Sequence, residues 1–224
     1  MVNMGNTLKK LKDPGSAITH FIGMLMAAFA AVPLIIRACS GGRDVTVCCA
    51  VFVVSMILLY GASTLYHSFD KGEKVNRILK KLDHAMIFVL IAGSYTPICL
   101  LVIGGRTGIV LLSLVWGVGI LGIIFKLCWV TCPKWLSSVM YIAMGWMCVM
   151  AFTPIMNNMT GSELMWLLAG GIVYTVGGIL YAIKTPRVKA YNERHRYFGT
   201  HEIFHVFVMV GSLCHFVLIY NVIS

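Results

Sequence analysis

Of the 224 residues, 59% are hydrophobic and 12% charged, whereas a soluble domain carries about 45–50% apolar and about 25% charged residues. A soluble globular domain is thereby excluded, and a mean hydropathy of +0.86 points to a polytopic membrane protein. The net charge of +10 would suit nucleic acid, but the basic residues fall in short loops between apolar runs, where they orient a membrane protein, so a nucleic-acid partner is excluded too.

Seven apolar runs reach near-spanning length, at about 17–36, 46–67, 83–103, 108–127, 135–155, 164–183 and 200–222. They predict an all-α fold, a single domain over residues 1–224 built as a seven-helix transmembrane bundle. Lys9, Lys10 and Lys12 precede the first run as in a signal peptide. A run of about 20 residues is too long for a typical signal core, so it is expected to be a retained helix. With the N-terminus cytoplasmic, the inner segments are the N-terminal one and those around 71–81, 126–134 and 184–196. They hold fifteen of the 18 basic residues, leaving only Arg37, Arg43 and Arg106 outside. The positive-inside rule therefore puts the N-terminus in the cytoplasm and the C-terminus outside.

The eight cysteines are scattered and form no C-x-x-C pair. Cys128 and Cys132 have a metal-compatible spacing but no nearby histidine, so packing is the better reading. Gly117, Gly119, Gly122, Gly170, Gly171, Gly177 and Gly178 are expected to let helices approach closely. Pro33, Pro97 and Pro154 are expected to kink the first, third and fifth helices.

Against this apolar background the ionisable residues of the spans are costly and suggest function. His201 and His205 open the seventh helix, four residues apart, on one face and about 6 Å apart along the axis. His67 ends the second helix, Asp83 starts the third and His20 lies near the start of the first. All sit within about two turns of the basic boundary. Ser63, four residues before His67, shares its face. Three imidazoles at one depth are the ligand count of a catalytic zinc site, with a position left for water or substrate. They favour zinc over hard cations. Asp83 either takes the proton of the water in metal-assisted hydrolysis or closes the site as a fourth ligand; both readings stand.

His84 points about 100° away from Asp83 and is expected to pack or to support the site from behind. His20 repeats the Ser63/His67 spacing as Ser16/His20 and is expected to donate from behind the ligands or to bind directly. Glu202 completes an H-E-x-x-H pattern, in which a zinc protease uses the acid as general base; no partner motif for a protease is found elsewhere. His215 lies about 21 Å beyond His201 along the helix and cannot join the cluster. His195 falls in a basic loop and is expected to be solvated. The plainer alternative is that the histidines merely hydrogen-bond one another inside the bundle, but their convergence from separate helices weighs against it.

These pieces resemble the progestin and adipoQ receptor family, in its bacterial hemolysin III branch. The resemblance rests on Ser16-Ala17-Ile18-Thr19-His20, Ser63-Thr64-Leu65-Tyr66-His67, Leu82-Asp83-His84 and Gly93-Ser94-Tyr95-Thr96-Pro97. It also rests on the region of Gly177-Gly178-Ile179-Leu180-Tyr181 and on His201-Glu202-Ile203-Phe204-His205. It implies seven helices with a cytoplasmic N-terminus and an intramembrane Zn2+ on His67, His201 and His205. It also implies that Asp83 holds the zinc's water, that Ser63 lies beside the metal, and that Glu202 is not the base. Receptor members of the family resemble ceramidases and sense adiponectin or steroids, while bacterial members are named for haemolysis and linked to membrane-lipid homeostasis.

The expected function is a zinc-dependent hydrolase of a lipid acyl or amide bond in the bacterial inner (plasma) membrane. Asp83 would serve as general base and Ser63 as oxyanion donor, with a membrane lipid as substrate or ligand. A membrane-state sensor with structural zinc and a haemolytic pore are the alternatives. The pore is disfavoured because the outer halves of the helices carry few polar residues. A homo-oligomer is compatible with the sequence.

Overall fold

The computed structural model describes residues 11–195 and 197–223. Lys9, Lys10 and Arg196, counted above toward the basic side, lie outside them. Among the described residues, seven helices are long and apolar enough to cross a membrane: α1 (Pro14–Ser40), α2 (Arg43–Ser68), α3 (Glu73–Ile103), α4 (Gly105–Cys128), α5 (Lys134–Asn158), α6 (Gly161–Ala182) and α8 (Thr200–Val222). A short amphipathic helix, α7 (Pro186–Arg194), lies between the last two. Large apolar side chains cover the outside, among them Phe29, Ile36, Leu121 and Met150, each about two-thirds or more exposed. Such an apolar belt suits a lipid solvent and would be a liability in water.

Several helices run past the predicted spans because hydropathy marks where lipid begins, not where helix begins. The clearest case is α3, which starts at Glu73 rather than at Asp83. Its first turns carry Lys74, Arg77, Lys80 and Lys81, good helix formers that are costly in hydrocarbon. Asp83 is therefore almost three turns inside a helix. At Pro97 and Pro154 the expected interruptions take the form of changes in helix type. A π-helical turn, Ile98–Ile103, follows Pro97, and a 3₁₀ turn, Trp146–Ala151, precedes Pro154. Pro33 lies within an unbroken α1.

α1 packs along α2, α2 along α3, and α6 along α8. Two apolar clusters fill the bundle. Leu34, Phe52, Leu59 and Ile219 belong to one, and Phe88, Val115, Met144 and Leu218 to the other. The neighbours Leu218 and Ile219 thus face opposite clusters, so α8 runs between the two halves of the core. α3 is shared in the same way through Phe88 and Leu90.

Close approach is visible where a methyl at Gly177 would lie 2.7 Å from the Phe207 Cβ and where one at Gly178 would lie 3.2 Å from Ile142. Gly117 differs from the expectation, since nothing lies within 4 Å of its would-be Cβ. The eight cysteines are all free, five of them buried.

Candidate metal centre

The last turn of α2 and the first two turns of α8 bring His67, His201 and His205 together. One ring nitrogen from each lies within 4.8 Å of the other two, a grouping able to hold a metal ion. The Nε2 atoms of His67 and His201 are 3.3 Å apart. Two nitrogens at 2.0–2.1 Å from a tetrahedral ion are themselves about 3.3 Å apart.

The opposite nitrogens are held by oxygen. His67 Nδ1 lies 3.0 Å from Asp13 Oδ2 and His205 Nδ1 lies 3.1 Å from Thr19 Oγ1. The Thr19 hydroxyl donates to the carbonyls of Gly15 and Ser16, both at 3.0 Å, so it accepts from His205. Both rings are then Nδ1–H tautomers with an Nε2 lone pair turned to the cluster, the orientation that metal-binding histidines receive from such outer partners. His201 Nδ1 is buried and has no partner among the described residues. The donor set fits a borderline cation such as zinc better than it fits calcium or magnesium.

Asp83 stands back from the triad, since its oxygens are not part of the group within 4.8 Å. It does line a narrow apolar cavity of about 140 Å³ together with His20, His84, Ser138, His201 and His205. The cavity continues between Leu90, Ile98, Ile142, Leu167 and Val208 to His215. His215 thus shares the cavity but not the triad. Ser63 is wholly buried, its hydroxyl near Asp83 and meeting no other hydrogen-bonding group.

His20 does not join the group; its ring stacks on His205 with centroids 3.6 Å apart and planes 10° apart. His84 presents its ring to the same cavity as Asp83, and its Nδ1 is buried without a partner. His195 is exposed, as expected.

Residues 8–216 match the family described as "Haemolysin-III related". The chain belongs to that family. It is 41% identical over 203 residues to the Hemolysin-3 of Bacillus cereus, covering 90% of this chain and 87% of the relative. It is 40% identical over 207 residues to a Hemolysin-3 homolog of Bacillus subtilis (strain 168), covering 92% and 91%. A more distant similarity, 25% over 229 residues, links it to the Adiponectin receptor protein of Drosophila melanogaster, covering 91% of this chain and 49% of that protein. The haemolysin-III assignment agrees with the progestin and adipoQ receptor resemblance and with a multi-pass membrane protein.

Glu202 is engaged elsewhere in this haemolysin-III chain. One carboxylate oxygen accepts from the Ser16 hydroxyl, and the other accepts from the Gly199 N–H at 2.8 Å. It caps the start of α8 and ties it to α1. Sequence reasoning missed Asp13, Thr19 and this use of Ser16. The only available signal was their position, a polar group every three residues along the first turns of a helix that carries His20. The hydrogen bond from His67 holds the Asp13 carboxyl below the usual carboxylate range, partly opposed by burial and helped by Lys12.

Proposed function

We propose that this haemolysin-III protein is a zinc-dependent hydrolase of a lipid acyl or amide bond, with a role in membrane-lipid homeostasis. The observation that carries the reading is that Asp83, His201 and His205 share the wall of one apolar cavity. His67, His201 and His205 would hold the zinc. When bound, it would supply Lewis acidity toward a carbonyl oxygen and make a water more acidic. An alkyl chain in the cavity brings its carbonyl to the triad. Asp83, set back from the three nitrogens, accepts the proton of the attacking water and returns it to the leaving amine or alcohol, a role worth about 10²–10⁴-fold in rate. The buried Ser63 hydroxyl donates to the oxyanion, for which one donor is worth about 10²–10³-fold.

A carboxylate standing back favours this reading over a sensor with a closed, structural metal, which would use Asp83 as fourth ligand. A pore is disfavoured by an interior lined chiefly by Leu, Ile and aromatic residues. The test compares metal content and lipid-amide turnover of the detergent-purified protein with those of His67→Ala, His201→Ala, His205→Ala and Asp83→Asn. One zinc per chain, lost in the folded histidine variants, together with turnover lost but zinc kept in Asp83→Asn, is the expected result. A folded, metal-free wild type, or turnover unchanged in Asp83→Asn, would sink the proposal.

A further inference from the structure

A second, wider cavity lies on the basic side of the bundle. Its volume is about 830 Å³, and its wall includes Lys134 at the start of α5, Lys184 and Lys189 around α7, and Thr200 and His201 at the start of α8. Two residues, Tyr181 and His201, line both this vestibule and the apolar cavity. The two spaces therefore meet at a residue of the triad, one basic and open to water, the other apolar and less open.

The lysines of the vestibule are poorly neutralised. Glu193 is its one acidic residue; it is 3.9 Å from Lys189, with both side chains more than two-thirds exposed. Such a pair contributes little. Lys134 lies over the Tyr181 ring at 4.3 Å, and neither it nor Lys184 pairs with a carboxylate among the described residues. Lysines that serve only to orient a membrane protein need no common concavity. These three surround one that ends on a proposed metal ligand. Ammonium groups act as point charges toward phosphate, and each basic residue near an anionic membrane surface strengthens attraction by about fivefold.

We infer that the vestibule is a headgroup site and that the substrate class is an anionic lipid with an uncompensated phosphate, from the leaflet on the basic side. The phosphate sits among Lys134, Lys184 and Lys189, the alkyl chain enters the apolar cavity, and the bond between them passes His201. The inference rests on the hydrolase reading and gives it a substrate class.

Binding is measured by native mass spectrometry on the full chain in detergent, titrated with dioleoyl phosphatidate, dioleoyl phosphatidylcholine, dioleoylglycerol or inorganic phosphate. Phosphatidate is expected to bind about tenfold or more tightly than the zwitterionic and neutral lipids. The combined Lys134→Gln, Lys184→Gln, Lys189→Gln variant is expected to lose that preference. Lys71→Gln/Lys74→Gln, on the same face but outside the vestibule, is expected to retain it. Equal affinity for all three lipids, or an unchanged preference in the triple variant, overturns the inference. So does an equal loss in Lys71→Gln/Lys74→Gln, which would assign the preference to the general charge of that face. Displacement of phosphatidate by inorganic phosphate at equal concentration overturns it too, since the site would then read the free anion. His67→Ala, expected to lose the metal, keeps the lipid preference, so failure of the hydrolase reading and failure of the headgroup site remain separately visible.

Discussion

His67 and Asp13 hold each other twice. The Asp13 backbone N–H donates to the His67 carbonyl at 2.9 Å, and His67 Nδ1 lies 3.0 Å from the Asp13 carboxylate. The chain entering α1 is thereby fastened to the end of α2, and the imidazole is fixed with Nε2 toward His201. If the triad holds zinc as proposed, Asp13→Ala is expected to fold but to weaken that binding by about 10–100-fold, the usual cost of losing an outer partner of a ligand histidine. Competition with a chelator checks this; an unchanged metal affinity would mean that packing alone orients the ring.

The same pair sets a pH dependence. A carboxylate whose folded pKa is depressed contributes stability that is fully present above its unfolded value of about 3.9 and is lost as pH falls through the folded value. Wild type and Asp13→Asn are therefore expected to differ in melting temperature above about pH 4 and to converge in stronger acid. The difference is small, because Asp13 is 46% exposed and solvent screens the pair. Parallel melting curves across that range would contradict the assignment.

Thr19 does for His205 what Asp13 does for His67, but without charge. Thr19→Val keeps the shape and leaves Nδ1–H without an acceptor in the bundle, a loss of about 1–3 kcal/mol. Metal affinity is expected to fall about tenfold or more, and Thr19→Ser, which restores the hydroxyl, is expected to recover it. Isothermal titration with zinc on the three proteins decides the matter, and a Ser variant as weak as Val would place the effect in the methyl group.

Glu202 separates the two meanings of its motif. As the cap of α8 and the tie to Ser16, its removal in Glu202→Ala is expected to cost about 1–2 kcal/mol of stability while leaving metal content intact. In Glu202→Gln the one amide oxygen still accepts from the Gly199 N–H, and the Ser16 hydroxyl can turn to accept from the amide nitrogen, so stability and, on the hydrolase reading, turnover are expected to be kept. A protease-type base would lose turnover in the Gln variant without losing stability.

The seven spans were legible because lipid imposes long apolar runs. The three histidines were legible because ionisable groups are rare within such runs. The partners of these histidines were not. Asp13 meets His67 across 54 residues of sequence and Thr19 meets His205 across 186, contacts that only helix packing brings about. The start of α3 was misplaced for a related reason, since its charged first turns carry no hydropathy signal. The short α7 carries no span-length apolar run and so reads as a basic loop, although Thr185 and Pro186 spell a cap and a first helical residue; the Thr185 side chain does accept from the Val188 N–H at 3.3 Å. Lys126, counted as an orienting charge, is wholly buried instead.

That burial can be tested on its own. Lys126 Nζ lies 3.0 Å from Cys132 Sγ and 2.5 Å from Ser137 Oγ, closing the turn between α4 and α5. Two effects compete there, the packing of the four-carbon stem and the polar tip. Truncation in Lys126→Ala removes both and leaves a cavity, with an expected loss of about 2–4 kcal/mol. Lys126→Met keeps most of the volume and gives up only the tip, and a buried cation replaced by an apolar side chain of similar size is often neutral or stabilising. Ser137, left behind, can turn its hydroxyl to a carbonyl one helical turn earlier. The Met variant is therefore expected to melt within a few degrees of wild type in detergent, well above the Ala variant. Equal loss in both would mean that the bonds to Cys132 and Ser137, rather than the stem, hold the α4–α5 turn.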